Sequence, residues 1–418
     1  MLLNLNRKEL ISKILIIMFL ITYFIPNFYA IDRIGNQWFY LSIVTLLSAI
    51  FLIKNHDLYS NIKSTIFDKT SILYLIFIIW SLVSISFSYN KVEALVTFNQ
   101  YFSVFLAFVF IKALLSSVPN PIDFLLKLFL ILLLTEVVIS LYPILKDIEN
   151  NELVFRSMDY KGAAANINIT SFSILYKVPI LLYFLTKEKN LFIKAFFTIL
   201  LFSALFIISI LGTRGAYIGV MICIISYLVY LFNANFNSIF KMKKLVIVGS
   251  TLIVVLLANL NLTQEENNII TRTASINIKT QDGSVNQRLR YYKQGLNHFI
   301  KNPILGVGIG NWKLTSIGYD KNNINGYIIP YHAHNDLIQL LVELGFFGLL
   351  FYALFIFYSV KNLFYNSLFD NHINFLFLGS LLIYLLDSML NFPIARPISQ
   401  LFLITFLCLV SLYKKVNE

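Results

Sequence analysis

Residues 191–211 read LFIKAFFTILLFSALFIISIL, pass through Gly212-Thr213-Arg214-Gly215, and resume at 216–232 as AYIGVMICIISYLVYLF. The first run carries a single charge, Lys194, and the second carries none. Each has about the ~20 apolar residues needed to cross ~30 Å of hydrocarbon. The apolar residues are continuous rather than alternating, so the runs read as helices and not as barrel strands. A connection this short makes the two spans adjacent hairpin partners and holds Arg214 at the membrane edge.

Working outward, the same reading gives twelve spans, at 14–30, 35–53, 71–87, 98–115, 124–144, 167–185, 191–211, 216–232, 245–260, 337–360, 373–390 and 398–413. Composition agrees. Of 418 residues, 58% are hydrophobic and only 13% charged, with a mean hydropathy of +0.74, which excludes an ordinary soluble domain. The expectation is an all-α polytopic membrane protein of about twelve transmembrane helices. The first apolar stretch, preceded by Arg7, Lys8 and Lys13, reads as an uncleaved first helix because many spans follow it. Cys223 and Cys408 lie inside apolar runs and read as packing residues.

With both termini placed in the cytoplasm, seventeen lysines and arginines fall on the inner side and seven in the short outer loops. That bias follows the positive-inside rule. The inner set is almost all lysine, whereas arginine is concentrated outside. Anchoring needs only a point charge, but a planar guanidinium fork suits bidentate phosphate binding. The net charge of +12 therefore points to membrane lipid and an anionic lipid substrate, not to nucleic acid.

One connection breaks the pattern. Residues 261–334 separate spans nine and ten, dividing the chain into helices one to nine (1–260), a large and partly helical outer loop (261–334) and helices ten to twelve (335–418). A loop of that length needs a fold and a purpose. Within it, Ser284 can cap a helix over 285–302 that Pro303 stops. Leu289, Tyr292, Leu296, Phe299 and Ile300 form its apolar stripe, with Arg290, Lys293, Asn297 and Lys301 opposite. Arg288 lies beside the stripe and is expected to point inward; the alternative is an interfacial helix with snorkelling cations.

Gly306, Gly308 and Gly310 follow, and their amides are candidates for cradling a phosphate, plain turn chemistry being the alternative. His332-Ala333-His334-Asn335-Asp336 then leads into span ten, where Asn335, Gln339 and Glu343 recur every four residues as a polar stripe. Lipid does not tolerate such a stripe, so it faces the bundle interior or a water-filled cavity. Gly345 and Gly348 read as a close-packing pair. Lys177 and Glu136, each inside a span, pair with each other or line the cavity.

The stretch 288–292, the run 302–311 and the segment 332–348 together resemble the O-antigen ligase and O-antigen polymerase superfamily. His334-Asn335, nine residues, Gly345, two residues and Gly348 match the histidine-containing signature of its ligases. Lys161 to Asn166 and Thr213-Arg214-Gly215 also look like family features. The specific match covers about 60 residues; the helix count and outer loop extend it loosely to the whole chain.

The resemblance implies a metal-independent, inverting glycosyltransferase without a cofactor, in the bacterial inner membrane, its site facing the periplasm. It implies an undecaprenyl-diphosphate glycan as donor and the lipid A core oligosaccharide as acceptor. His334, Arg288 and Arg214 are the expected catalytic residues, converging over one pocket. His332, Asn335, Asp336, Arg290, Gly306, Gly308 and Gly310 are expected to bind substrate, with Asp336 orienting the histidine. The alternative is a polymerase that joins a second lipid-linked glycan unit, and the single long loop with its histidine signature favours the ligase. A transporter of an anionic solute would need its site at the bilayer midplane, which the loop does not suit.

Overall fold

The computed structural model describes residues 2–26, 28, 34–150, 160–162, 164, 166–234, 236–262, 269–274, 283–322, 330–365 and 372–417. Among these the fold is helical, without strands. In chain order the helices are α1 (Leu2–Ile21), α2 (Gly35–Lys54), α3 (His56–Ile66), α4 (Lys69–Ser84), α5 (Lys91–Leu115), α6 (Pro121–Glu149), α7 (Ile167–Lys187), α8 (Leu191–Leu211) and α9 (Arg214–Asn233). They continue with α10 (Ser238–Leu262), α11 (Ile269–Ala274), α12 (Gly283–Lys301), α13 (Trp312–Asp320), α14 (Asp336–Val360), α15 (Asn362–Tyr365), α16 (Ile373–Leu390) and α17 (Pro397–Asn417).

Among the described residues ten helices are long and apolar enough to span a membrane: α2, α4 to α10, α14 and α16. The twelfth expected span appears as a shorter apolar helix within α17. The first is α1, which starts well before residue 14 and takes in Arg7, Lys8, Glu9 and Lys13. Side-chain caps set several helix starts: Asp68, Asn90, Asn166, Asn190 and Asn335 each accept from backbone amides of the turn they open. The helix α3 stands where the charge pattern suggested only an inner loop.

Compactness divides the chain differently from chain order. One unit holds residues 1–123, 281–362 and 388–418; the other holds 124–280 and 363–387.

In the first unit α14 packs along α4, with Tyr74 stacked on Phe355 at 4.2 Å between ring centroids. Gly345 interrupts α14 with φ +66°. Such a break orphans backbone groups that lipid cannot satisfy. Here four of them find partners. Val342 and Glu343 carbonyls accept from the amides of Val307 (3.0 Å) and Gly308 (2.9 Å). The Leu344 carbonyl accepts from Trp80 Nε1 at 2.8 Å, and the Phe346 amide donates to Pro303 at 2.8 Å. Gly345 is thus a kink that receives the 303–308 loop, not merely a small packing residue. A Cβ there would stand 2.1 Å from the Ile304 carbonyl oxygen. Gly345→Ala is accordingly expected to destabilise the protein by roughly 2–4 kcal/mol, combining left-handed strain with displacement of the loop. Thermal unfolding in detergent checks this; an unchanged midpoint would remove the kink from its structural role.

In the second unit α7 is buried along most of its length. Lys177 bonds both carboxylate oxygens of Glu136, at 2.9 and 3.0 Å, and Ser173 donates to the same carboxylate at 3.0 Å. These two charges therefore pair with each other, one of the two readings the sequence left open. Tyr176 donates to Asp387 within the same unit.

Candidate functional site

Arg214 belongs to the second unit. Gly212, at φ +62°, ends α8 in the left-handed conformation, Thr213 stands at the N-cap position of α9 without a side-chain capping bond, and Arg214 is the helix's first residue. A cation at a helix N-terminus opposes the macrodipole, at a cost of about 0.3–1 kcal/mol. Helix stability thus gives no reason for an arginine here. The preceding family feature, 161–166, is described only in part: the Lys161 carbonyl accepts from Thr170 Oγ1 at 2.6 Å, Asn166 caps α7, and residues 163 and 165 lie outside the described residues.

The remaining candidates are in the first unit. Helix α12 begins at Gly283, so Ser284 lies in its first turn rather than at its cap. The buried face is Tyr291, Gln294, Gly295 and His298, and Gly295 fits against Ile338 and Val342 of α14. The apolar stripe read from periodicity is largely on the outside: Leu289, Leu296 and Ile300 are exposed. Tyr292 and Arg288 sit at the border between the faces, half-buried.

Arg290, an expected substrate residue, forms a two-pronged ion pair with buried Asp320 of α13, Nε to Oδ1 2.6 Å and Nη2 to Oδ2 3.1 Å. That bond fastens α13 to α12. The glycine run is likewise committed. Gly308 donates to α14 as above, and Gly310 N donates to Glu343 Oε2 at 2.8 Å. These two amides are occupied by protein, which favours the turn reading of the run over the phosphate cradle.

Glu343 is the centre of this scaffold. Its carboxylate also accepts from Trp312 N (3.1 Å) and Gln339 Nε2 (3.2 Å), and Gln339 Oε1 accepts from Ala333 N at 3.2 Å. The stripe Asn335, Gln339, Glu343 is buried in the unit, not open to lipid. It transmits position from the glycine turn to the histidine segment. Glu343→Leu leaves buried donors of Gly310 and Trp312 without an acceptor, at about 1–3 kcal/mol each. The expected outcome is a lowered unfolding midpoint together with reduced activity; retention of both would sink the scaffold role.

His334 lies just before the cap of α14 with φ +54°. A side chain there costs about 1–2 kcal/mol, and histidine is one of the types that tolerates it. The conformation is held from outside: the Tyr292 hydroxyl serves the His334 carbonyl at 2.8 Å and the Met389 carbonyl at 3.0 Å. Asn335 caps the helix through Ile338 N, at 3.1 Å. Asp336 is tied to the turn before α17: its Oδ2 accepts from Ser388 Oγ (3.1 Å) and Ile394 N (3.0 Å).

That turn brings two residues the motif reading passed over. The His332 ring stacks on Phe392 at 4.3 Å, His334 meets the same ring edge-on at 5.1 Å, and the Arg396 guanidinium lies 4.9 Å from its centroid. In the charge pattern of the sequence Arg396 is one of the seven outer-loop cations. Its position between Pro393 and Pro397, in a short rigid turn, was the available signal.

Electrostatics follows from this crowding. Burial, then the Arg288 charge, pushes His334 down to about 4. Burial, then Arg396 and, less, His334 and Lys313, pushes His332 down to about 3 against an opposing Gln339 hydrogen bond. Both rings are neutral near pH 7. The Nδ1 atoms of both have no hydrogen-bond partner among the described residues. The arrangement is a pair of neutral imidazoles on an aromatic floor, each with an open Nδ1 and a guanidinium nearby: suited to taking a proton next to an anion.

Comparison with known proteins adds an independent finding. Residues 198–353 match a family model described as O-antigen ligase (Wzy_C), less than half of the chain. The match takes in Arg214, Arg288, both histidines and Gly345, and stops short of Phe392 and Arg396. A protein of Rickettsia conorii provisionally named a polysaccharide ligase is 31% identical over 71 residues, 16% of this chain and 17% of that protein. The chain therefore matches only about a sixth of the length of that relative.

Proposed function

From the O-antigen ligase region at 198–353 as premise, we propose that this multi-pass membrane protein is a glycosyltransferase that moves a glycan from a lipid diphosphate to an acceptor hydroxyl. The donor is read as an undecaprenyl-diphosphate glycan, the acceptor as the lipid A core oligosaccharide, and the location as the periplasmic side of the bacterial inner membrane. The observation that carries the reading is His334: neutral, fixed in a left-handed backbone conformation by Tyr292, and adjacent to the Arg288 charge.

The chemistry is a single displacement. The acceptor oxygen attacks the anomeric carbon, its proton passes to His334, and the bond from that carbon to the diphosphate oxygen breaks with inversion. Negative charge grows on the departing lipid diphosphate, where fixed guanidiniums stabilise it without a metal. Arg288 and Arg396 are proposed for that charge on the first unit's evidence. Arg214 is proposed for the same donor on its own setting, a guanidinium kept at a helix start that does not favour it. His332 assists as a neighbouring neutral imidazole. Arg290 is read as structural.

The test is transfer in vitro by the purified chain, from a defined lipid-diphosphate glycan to either a lipid A core oligosaccharide or a second lipid-linked unit. Transfer to the core supports the ligase, and transfer to the lipid-linked unit alone replaces it with the polymerase. Uptake into vesicles without transfer to either acceptor overturns the reading. In the same assay Arg214→Gln is expected to impair donor turnover while leaving expression intact.

A further inference from the structure

We infer that the outward face of α12 is a membrane anchor that slants into the phospholipid leaflet along α14, on the His334 side of the protein, with Lys293 at the anionic headgroups and Lys301 snorkelling toward them. This stands apart from the glycosyl-transfer reading and needs only the geometry of the first unit.

The face is apolar and open. Leu289, Leu296 and Ile300 are 45%, 45% and 73% exposed and recur at helical spacing on the side opposite buried Tyr291, Gln294, Gly295 and His298. Lys293 and Lys301 are exposed along one edge. Four cations within α12 bar it from crossing a bilayer, but an apolar face with a lysine edge is the composition of a helix that lies in the interface.

The depth of the following residues decides which medium covers it. Pro303 accepts from the Phe346 amide, ten residues into α14, about 15 Å below the helix start at 1.5 Å per residue. Phe346 belongs to a membrane-spanning helix and is itself exposed. Ile304 and Leu305, next to Pro303, are 56% and 46% exposed. At that depth an exposed isoleucine and leucine face hydrocarbon. The outer face of α12 thus continues, through Ile304 and Leu305, the lipid-facing surface of α14.

The test uses the full chain in nanodiscs, with an environment-sensitive fluorophore on Leu296→Cys, Ile300→Cys or, as control, Gln287→Cys; both native cysteines are buried. Brominated acyl chains are expected to quench the labels at 296 and 300 several-fold more than the label at 287. Adding phosphatidylglycerol is expected to deepen that quenching, and Lys293→Glu with Lys301→Glu to abolish the added effect. Equal iodide access at all three positions would overturn the inference, as would labels shielded from iodide yet unquenched by lipid, the mark of a protein partner. On the unaltered chain, a diazirine-bearing phospholipid should leave adducts within 289–305; adducts confined to the spans would also overturn it.

Discussion

Replacing His334 with alanine is expected to lower the rate of glycan transfer by about 10²–10⁴-fold, the usual contribution of a positioned general base, while donor binding stays close to the parent. His334→Asn is the better control for folding, because asparagine tolerates the left-handed backbone that alanine does not. Both should be inactive, and only the alanine variant should lose stability. The pH dependence sharpens the expectation. In the proposed reaction the neutral ring is the working form, so activity should fall as pH drops through the folded value, which is about 4 rather than the unperturbed ~6.5. The acid limb of kcat/KM, which reports the free enzyme, should therefore lie near 4. A bound diphosphate offsets the Arg288 charge and favours the protonated ring, so the limb of kcat should lie higher. Full transfer by His334→Asn would remove the residue from the reaction, and a kcat/KM limb near 6.5 would remove the crowding from the account.

What could be read from the chain alone depended on how local the signal was. The α8–α9 hairpin was legible because two apolar runs and a four-residue break permit little else. The buried Asn335, Gln339 and Glu343 stripe was legible because charge at helical spacing inside a span has to turn inward. The face of α12 was not: periodicity marks an apolar stripe but does not say whether protein or lipid covers it, and here the buried face holds Gln294 and His298 instead. Gly345 looked like a packing glycine because its positive φ is imposed by the distant 303–308 loop. Arg290 reads as a substrate residue because Asp320, thirty residues away, cannot be paired with it from sequence. Phe392 and Arg396 escaped for the same reason, since stacking against the histidines is a tertiary fact with no spacing to announce it. The role of Glu343 needed the amides of Gly310 and Trp312, which nothing in the motif connects to it. The α3 helix was passed over because its run of eleven residues is too short to register against the spans around it.

Arg288→Gln is the second large effect and separates two jobs of one guanidinium. Its first job in the proposed reaction is to hold charge that develops on the departing diphosphate. Removing one such preorganised group costs on the order of 10²–10³-fold in kcat. Its second is to keep His334 neutral. Without that charge the histidine is left with burial as the main cause of its low value, so the acid limb of kcat/KM should move upward from about 4 yet stay below the unperturbed ~6.5. The sign matters: the variant loses rate at every pH, and loses additional rate first at the acidic end, where the ring now takes a proton that the parent would refuse. Arg288→Lys keeps the charge but not the planar fork, so it should restore the position of the limb and recover only part of the rate. A purely structural arginine would show neither pattern, because destabilisation lowers the amount of active protein without moving a titration. Donor turnover equal to the parent, or a limb fixed at about 4 in Arg288→Gln, would show that this guanidinium neither meets the diphosphate nor governs the histidine.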